Sequence, residues 1–453
     1  VSPLAALRDV SVERTRPSAA RVIAGVGLTG VGVALVLAGG SAFGIGAVSV
    51  VVGAIVLGPV VARPIAAALG APLPPLKGVT GELARGNAVR NPRRTAGAAT
   101  ALVVGVGVVS LVTVTLASLS ESTRQSYERS FGGDLAITSG AFGGGDSGFS
   151  PDLAIDVDGL PEVDRAVGLG GGEILVDGDT KEIAVADPAA LADVLTLETR
   201  GGSLADLGEG DLAISSETAD ANGWDVGSTV AATYPDGGTA GLTIGAIYEE
   251  EGPLGGYLLP RVNWAPHTPQ DLDGTVLIAL APGVDLERGR AAVVPVAESY
   301  GASDVQDRDE YVEELASAIN DLLGIVYVLL ALSVLIALLG IANTLSLSIH
   351  ERTRELGLLR AVGQTARGVK SMVRWEAGIV AVFGTIGGLV LGLFLAWGLV
   401  RDLGADAGID QFTVPSAQLA VIVVIGGIAG LLAGARPARR AARLRLLDAL
   451  AAE

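Results

Sequence analysis

Side chains that commonly carry out catalysis or bind metals are scarce in this sequence. It has no cysteine and only two histidines, His267 and His350. The absence of cysteine excludes disulfides, thiolate zinc sites and thiol redox chemistry, and two histidines cannot build a poly-histidine metal site. His267 lies in a proline-bounded loop and His350 follows an apolar run, so we interpret both as surface or interfacial residues. No catalytic residue is predicted.

Two glycine-rich stretches resemble nucleotide-binding motifs but lack the context that these motifs need. GVGLTG at 25–30 matches GxGxxG, yet it lies inside an apolar run and no acidic residue follows before Glu82. GQTARGVKS at 363–371 resembles a P-loop with one residue inserted before Lys370. The phosphate cradle needs the lysine directly after the last glycine. We therefore predict that this chain is not an ATPase of the P-loop type.

Three pairs of aspartates, at 156–158, 177–179 and 271–273, lie in turns that could bind a cation. None continues into the twelve-residue calcium loop with its terminal glutamate. We therefore predict a solvated acidic surface and no metal site.

The elements that hold these residues are mainly membrane helices. Half of the 453 residues are hydrophobic, only 18% are charged, and the mean hydropathy is +0.53. About 20 apolar residues in a helix cross the hydrocarbon core of a bilayer. Six stretches reach that length, at 22–40, 43–62, 96–118, 321–347, 375–400 and 417–435. The sequence predicts an α-helical polytopic membrane protein with six spans.

The distribution of charge predicts the orientation of these spans. Residues 1–21, 63–95, 348–374 and 436–453 hold 21 of the 31 lysines and arginines, and segments rich in these residues stay in the cytoplasm. Both termini are then cytoplasmic. Residues 119–318 carry 37 acidic and 9 basic side chains, a net charge of −28. The sequence thus predicts one large acidic extracytoplasmic domain, and an acidic chain is a poor partner for nucleic acid.

The acidic segment has the pattern of a folded α+β domain. Alternating apolar residues predict strands at 134–138, 229–234 and 241–247. Short helices are predicted at 187–195 and 285–299, and a glycine- and serine-rich loop at 140–150. Helical patterns run past the third span to Arg129 and begin at Asp309 before the fourth. They predict a helical stalk that carries the domain.

Two glycine stripes predict close packing of the last two spans. A glycine at every fourth residue lies on one helix face and lets two backbones approach closely in lipid. The partner helix can belong to this chain or to another. The stripes are Gly384, Gly388 and Gly392 in the fifth span, and Gly426, Gly430 and Gly434 in the sixth.

The segment after the fourth span is amphipathic. Leu356, Leu359 and Val362 recur at helical spacing beside Arg352 and Glu355. Such a helix can lie on the inner leaflet or present one face to a cytoplasmic partner. Glutamates among the arginines weaken the first interpretation, because anionic headgroups repel them.

ERTRELGLLRAVG at 351–363, after LLGIANTLSLSIH, resembles the FtsX-like permease module of the macrolide-exporter and lipoprotein-release class of ABC transporters. The resemblance extends to GELARGNAVRNPRRTAGAATALVVGVGVV at 81–109 and to the basic tail at 435–453. It implies a permease whose ATPase is a separate cytoplasmic subunit or chain. That ATPase would bind ATP and Mg²⁺, so this chain itself would bind no cofactor. The family's ATPase docks on the cytoplasmic loop, and the stalk transmits its motion outward.

By this resemblance, nine residues would form the coupling surface for the ATPase: Glu351, Arg352, Arg354, Glu355, Leu356, Gly357, Leu359, Arg360 and Gly363. SPLAALRDV at 2–10 is similar to RLLDALAAE at 445–453. We therefore expect the C-terminal half of a ten-span double-module permease, with the first module as a partner.

The predicted layout alternates cytoplasmic and extracytoplasmic segments. It comprises a cytoplasmic segment (1–21), a linker pair of spans (22–62), a cytoplasmic amphipathic segment (63–95), a span (96–118), the extracytoplasmic domain (119–318), a span with its stalk (319–349), the coupling loop (350–374), a span (375–400), a short outer loop (401–416), a span (417–435) and a basic tail (436–453).

Two functions fit this layout. The chain is a permease that exports or extracts a hydrophobic or lipid-like cargo, or a regulator that moves no cargo and activates an extracytoplasmic partner such as a cell-wall hydrolase. An intramembrane enzyme would need polar groups inside the spans. Glu376 lies at the inner edge of one span, and the sequence identifies no partner for it. We expect location in the cell membrane of a GC-rich bacterium, since 28 arginines accompany three lysines.

Overall fold

A computed structural model describes residues 19–139, 148–249, 252–302, 304–404, 409 and 411–442. Parts of the predicted N-terminal segment, glycine- and serine-rich loop, short outer loop and basic tail lie outside the described residues. The chain divides into two compact units. The membrane unit comprises the described residues up to Ala117, Leu323–Asp402 and those from Phe412 onward. The sheet unit comprises Ser118–Leu322 and Leu403–Gln411.

Fifteen helices lie in the described part of the chain. They are α1 (Ala19–Ala38), α2 (Phe43–Leu69), α3 (Leu73–Lys77), α4 (Val79–Arg90), α5 (Pro92–Ser130), α6 (Asp152–Asp158), α7 (Pro188–Val194), α8 (Ser216–Asn222), α9 (Arg261–Trp264), α10 (Leu286–Ser299), α11 (Arg308–Glu351), α12 (Thr353–Ala361), α13 (Ala366–Leu403), α14 (Ser416–Ala433) and α15 (Ala435–Ala442). Among the described residues, six helices are long and apolar enough to cross a membrane: α1, α2, α5, α11, α13 and α14. The prediction of six spans is confirmed.

Two of these helices are much longer than a membrane requires. α5 has 39 residues and α11 has 44, which at 1.5 Å per residue is about 58 and about 66 Å. The hydrocarbon core is only about 30 Å thick. Each helix contributes residues to both units. The stalk itself concerns the arrangement of the two units and stays a prediction.

The glycine stripe of α13 lies against α5. A Cβ atom built on Gly384 would stand 2.8 Å from the Cβ of Leu102, and one on Gly388 would stand 2.8 Å from the carbonyl oxygen of Val103. On Gly392 it would stand 2.5 Å from the carbonyl oxygen of Gly107. The two backbones thus touch where any side chain would separate them.

The stripe of α14 lies against α13 in the same way. Gly426 faces the side chain of Thr385, and Gly430 faces the Cβ of Ala381. A Cβ on Gly434 would stand 2.7 Å from that of Ala377. All six glycines therefore lie at helix contacts within this chain, and small residues at such contacts give the close van der Waals packing that holds helices together in lipid.

In the described part of the sheet unit, ten strands form one sheet. In chain order they are β1 (Leu135–Thr138), β2 (Val163–Val176), β3 (Asp179–Ala186), β4 (Thr199–Gly202), β5 (Asp211–Ser215), β6 (Thr229–Thr233), β7 (Thr239–Tyr248), β8 (Tyr257–Pro260), β9 (Asp273–Leu280) and β10 (Val305–Asp307). The order in the sheet is β10-β1-β9-β2-β3-β8-β5-β7-β4, with β6 paired to β2 and β7. Only β3 with β8 and β5 with β7 are parallel.

Strand β1 is buried on both of its faces. Leu135 and Ile137 belong to a core that includes Leu153 of α6. Ala136, between them, belongs to the core on the other face, which includes Leu191 of α7. Because successive side chains of a strand point to opposite faces, helices on both sides of the sheet require apolar residues at the first three positions of β1.

The turn between β2 and β3 follows from its two residues. Val176 pairs with Asp179, so only Asp177 and Gly178 form the loop. Their φ angles are +50° and +94°, and a two-residue hairpin with both φ angles positive favours Asp-Gly. The predicted α+β class is confirmed, and the predicted strands and helices correspond to β1, β6, β7, α7 and α10.

We expect Gly430→Ala to lower the free energy of unfolding by about 1–3 kcal/mol, because the new methyl group would overpack the contact with Ala381. In the described part of the chain, nothing lies within 4 Å of a Cβ built on Gly427 of the same helix. Gly427→Ala should therefore leave the stability unchanged or raise it slightly. Thermal unfolding of the detergent-solubilised chain measures both. Equal losses in the two variants would contradict the role of the stripe.

Candidate functional site

The predicted coupling loop begins with a sharp break after α11. Arg352 leaves the helix, with φ −108° and ψ 20°. Its amide still donates to the carbonyl oxygen of Ser348 at 3.1 Å, and its carbonyl oxygen accepts from the amide of Leu356 at 3.0 Å. Arg352 is therefore the single residue that joins α11 to α12.

The end of α12 is equally well defined. Gly363 has a φ of +114°, a conformation that favours glycine just past a helix end. The amide of Gln364 donates back to the carbonyl oxygen of Leu359 at 3.0 Å. Thr365 then caps α13, since its Oγ1 accepts from the amide of Gly368 at 3.1 Å. α12 is thus a short helix between two spans. The contribution of Gly363 is its positive φ angle, which lets the chain turn where α12 ends.

The nine predicted coupling residues divide between two faces of this loop. Leu356 and Gly357 are buried and Leu359 is half-buried. Leu356 packs into a core formed by Ala84, Ile349, Val369, Met372, Val373, Ala438 and Ala441. These positions hold α12 on its own chain. Glu351, Arg354, Glu355 and Gly363 are exposed, whereas Arg352 and Arg360 are half-buried.

The apolar residues that α12 exposes differ from those expected. Leu358 is 59% exposed and Val362 is 82% exposed. The leucine spacing predicts that Val362 shares the face of Leu356 and Leu359. Residues four apart are also neighbours on a helix, and in the structure Val362 is exposed beside Leu358. The exposed face of α12 therefore combines two apolar side chains with Arg354 and Glu355. Because Leu356, Leu359 and Val362 recur at regular helical spacing, the sequence pattern did not indicate that Leu358 is exposed.

A buried ion pair lies close to the loop. The side chain of Glu376 in α13 is only 7% exposed, and its Oε1 accepts from Nη2 of Arg94 in α5 at 2.9 Å. Its Oε2 accepts from Nδ2 of Asn87 in α4 at 3.3 Å. Nη1 of Arg94 donates to Oγ of Ser348 in α11 at 2.5 Å.

Arg352 connects this pair to α12. Its Nη2 donates to Oδ1 of Asn87 at 2.9 Å, and its Nε donates to Oε2 of the exposed Glu355 at 2.7 Å. We call Asn87, Arg94, Ser348, Arg352 and Glu376 the polar cluster. It forms a continuous line of contacts from the surface of α12 to α4, α5, α11 and α13.

The polar cluster leaves almost no room for a ligand. The cavity beside it has a volume of about 10 Å³, close to the minimum for one water molecule. Removing two charges from water is costly, and their attraction compensates only when the remaining polar atoms are hydrogen-bonded. Asn87 and Ser348 supply such bonds. The polar cluster therefore joins four helices and the loop through side-chain contacts.

The sequence identified no partner for Glu376. In the structure its partner is Arg94, which is 282 residues away along the chain. A usable signal existed. Arg94 lies two residues before the third predicted span and Glu376 is the second residue of the fifth, so both are expected at the same membrane depth. Charges at membrane depth usually pair with one another.

The acidic turns of the sheet unit bind side chains of the same unit. Arg261 pairs with Asp271 at 2.7 Å and also with the buried Asp273. Burial raises the pKa of Asp273, against the attraction of Arg261. Asp156 accepts from the hydroxyl of Tyr300 at 2.5 Å and raises the pKa of Tyr300 to about 12. Across the described ranges, no group of three or more histidine and acidic residues could hold a metal ion.

Both histidines also have local partners. Nδ1 of His267 lies 2.9 Å from Oδ2 of Asp236, and its ring stacks on Tyr234 with centroids 3.9 Å apart. The hydrogen bond with His267 lowers the pKa of the Asp236 carboxyl. Nδ1 of His350 lies 2.8 Å from the carbonyl oxygen of Ser346 one turn earlier in α11.

Six apolar helices and a sheet-containing domain define a polytopic membrane protein with a large domain outside its spans. Comparison with protein families gives its type. Residues 327–446 match the FtsX-like permease C-terminal model, and residues 95–296 match the MacB-like periplasmic core domain model. The chain thus contains an FtsX-like permease domain and a MacB-like periplasmic core domain, and the predicted resemblance is confirmed.

Individual relatives agree with this assignment. An uncharacterized ABC transporter permease of Methanocaldococcus jannaschii is 28% identical over 185 residues, which are 39% of this chain and 46% of the relative. The macrolide export ATP-binding/permease protein MacB of Rhodospirillum rubrum is 29% identical over 241 residues, 45% of this chain and 36% of that protein. The chain thus spans less than half the length of these curated relatives.

A solved structure is similar in part. The periplasmic region of MacB from Actinobacillus actinomycetemcomitans matches 40% of this chain and 91% of its own, with 13% identity and a TM-score of 0.31.

A double-mutant cycle tests the ion pair of the polar cluster. We expect Arg94→Met to cost about 3–5 kcal/mol, because it leaves the buried carboxylate of Glu376 without its cation. Glu376→Met should cost less, because Arg94 is 21% exposed and keeps its hydrogen bond to Ser348. The double variant should be more stable than either single variant. The free energy of unfolding in detergent measures the cycle.

The exposed pair Arg124 and Glu128 on α5, with nitrogen and oxygen 3.0 Å apart, serves as the control. Its coupling should be below about 1 kcal/mol. A coupling energy between Arg94 and Glu376 no larger than that of the control would overturn the assignment.

Proposed function

We propose that this chain is the permease subunit of an ATP-driven ABC transporter and transmits the motion of its ATPase to an extracytoplasmic domain. The observation that carries the proposal is the continuous line of contacts through the polar cluster. A partner that pulls or presses on α12 acts on Arg352, the residue joining α12 to α11. Through Asn87 the same arginine acts on the helices that hold Glu376 and Arg94.

The ATPase belongs on the side of the membrane that holds α12. The segments rich in lysine and arginine, including those around α4, α12 and α15, favour a cytoplasmic location. Both termini are then cytoplasmic, and the protein is a multi-pass protein of the cell membrane. ATP and Mg²⁺ bind to the partner ATPase, and this chain contributes no cofactor site.

The motion can travel along α5 and α11 because both are continuous helices. An α-helix is stiff over its length, since each turn is hydrogen-bonded to the next. Ser348 lies near one end of α11, and Tyr311, near the other end, packs in the core of the sheet unit. Tyr127 and Phe131, from α5 and the residue after it, contact Tyr311 edge-on, with ring centroids 5.9 and 5.7 Å apart. Displacement of either helix would therefore reach that core.

The proposed work is export or extraction of a hydrophobic or lipid-like cargo. The relative from Rhodospirillum rubrum is named as a macrolide export protein. The MacB-like periplasmic core domain model matches residues 95–296, which include most of the sheet unit. We expect the first permease module, or a second subunit, to complete the transporter. An extracytoplasmic cargo or partner protein would contact the acidic sheet unit.

The exposed face of α12 is the place to test ATPase binding. We expect Arg354→Glu combined with Glu355→Arg, and separately Leu358→Asp with Val362→Asp, to abolish most co-purification of the ATPase. The first pair reverses the charges of the face, and the second buries a charge in the interface. Val79→Asp, at an exposed apolar position on α4, is the control and should retain the ATPase. Unchanged co-purification in both loop variants would contradict the coupling assignment.

Reconstitution in vesicles with the ATPase distinguishes transport from regulation. ATP-dependent release of a hydrophobic cargo supports the permease. ATP-dependent stimulation of an extracytoplasmic hydrolase without any cargo release would support the regulator and contradict transport.

A further inference from the structure

A basic cavity lies among three helices of the membrane unit, apart from the polar cluster. Its volume is about 370 Å³. α3, the first turns of α13 and the last turn of α14 supply its walls. The lining residues are Lys77, Arg367, Lys370, Ser371, Arg374, Trp375 and Leu431.

Four cations converge on this cavity from two distant segments of the chain. Lys77 comes from α3, and Arg367, Lys370 and Arg374 come from the first turns of α13. Among the described residues, no acidic side chain lines the cavity. Within the described ranges, none of the four forms an ion pair with a carboxylate, unlike Arg94 and Arg352 nearby. Like charges repel when they are held together, so the cavity favours an anion.

The apolar residues of the cavity place it at the depth of lipid headgroups. The ammonium of Lys77 lies 5.9 Å from the ring centroid of Trp375, and tryptophan concentrates at membrane interfaces. Trp375 is the first residue of the fifth predicted span. Leu431, in the last turn of α14, adds an apolar wall. A soluble anion needs no such wall, whereas a phospholipid presents a phosphate joined to hydrocarbon.

We propose that this cavity binds the phosphate headgroup of an anionic phospholipid from the inner leaflet. The four cations hold the phosphate and the anionic headgroup, while Trp375 and Leu431 contact the glycerol and the first acyl carbons. Basic cavities between helices on the cytoplasmic side bind such headgroups.

The position of the cavity would let a bound lipid affect the polar cluster. Arg374 and Trp375 are the two residues that precede Glu376 in α13. A bound lipid therefore holds the same turn of the helix that carries the acid of the polar cluster. Arg436 and Arg439 on α15 are also exposed, and they do not line the cavity.

The test uses the full chain in a neutral detergent. Native mass spectrometry counts bound dioleoyl phosphatidylglycerol and dioleoyl phosphatidylcholine over a concentration series, and inorganic phosphate is added as a competitor. The variant Arg367→Gln with Lys370→Gln removes two cations of the cavity. The control variant, Arg436→Gln with Arg439→Gln, removes the same charge from α15. Lys77→Gln changes the wall formed by α3.

We expect one phosphatidylglycerol to bind more tightly than phosphatidylcholine. Each cation near an anionic lipid is worth about 1 kcal/mol, or about fivefold in affinity. The double cavity variant should therefore bind about 25-fold more weakly and Lys77→Gln about fivefold more weakly, whereas the control should change less than about twofold. Because Lys77 is exposed on a separate helix, its variant tests the site even when the double variant does not fold.

Four results would overturn the proposal. They are equal binding of phosphatidylcholine, an equal loss in the α15 control, and displacement of the lipid by inorganic phosphate at matched concentration, which would indicate a site for a free anion. The fourth is loss of ATPase co-purification with unchanged lipid binding, which would indicate a protein contact.

Discussion

The buried ion pair between Arg94 and Glu376 is the interaction on which the membrane unit depends most. A charge at membrane depth is tolerated only when an opposite charge and hydrogen bonds compensate for lost water. Asn87 and Ser348 complete that compensation, so α4, α5, α11 and α13 must meet at one point. Arg352 joins the same point from the loop. Any movement of α12 that shifts Arg352 therefore changes the hydrogen bonding of a buried charge, and this is why a short surface helix can influence four others.

The glycine contacts determine how far such a movement spreads. In lipid, helices gain little from burying apolar side chains, and close backbone contact replaces that gain. α13 touches α5 at Gly388 and Gly392 and touches α14 at Gly430. With Glu376 at one end and these contacts along its length, α13 has little freedom to move apart from α5. α12, in contrast, is a short helix joined to α11 by Arg352 and held on its own chain by the packing of Leu356 and Leu359. The membrane unit thus combines closely packed spans with a short helix that exposes one face.

The sheet unit meets a different requirement, because without cysteine it has no disulfides to support it. Its central strands are covered on both faces, and Tyr311 of α11 belongs to one of the two cores. The end of a membrane helix is therefore part of the interior of the sheet unit. Among its described acidic side chains, Asp273 is buried and is paired with Arg261.

Local patterns in the sequence determined the six spans, the glycine faces, the Asp177-Gly178 turn and the α+β class. Each depends on residues within a few turns of one another, so hydropathy, spacing and φ preference are sufficient. The orientation of α12 was only partly predictable: the leucine spacing identified an amphipathic helix, but packing against Ala84 and Val373 decided that Leu356 is buried and Val362 exposed. The predicted spans place Arg94 and Glu376 at a similar membrane depth, but only the tertiary structure pairs them. Residues 282 positions apart meet only where their helices pack side by side, and no local property of either segment specifies which helices are neighbours.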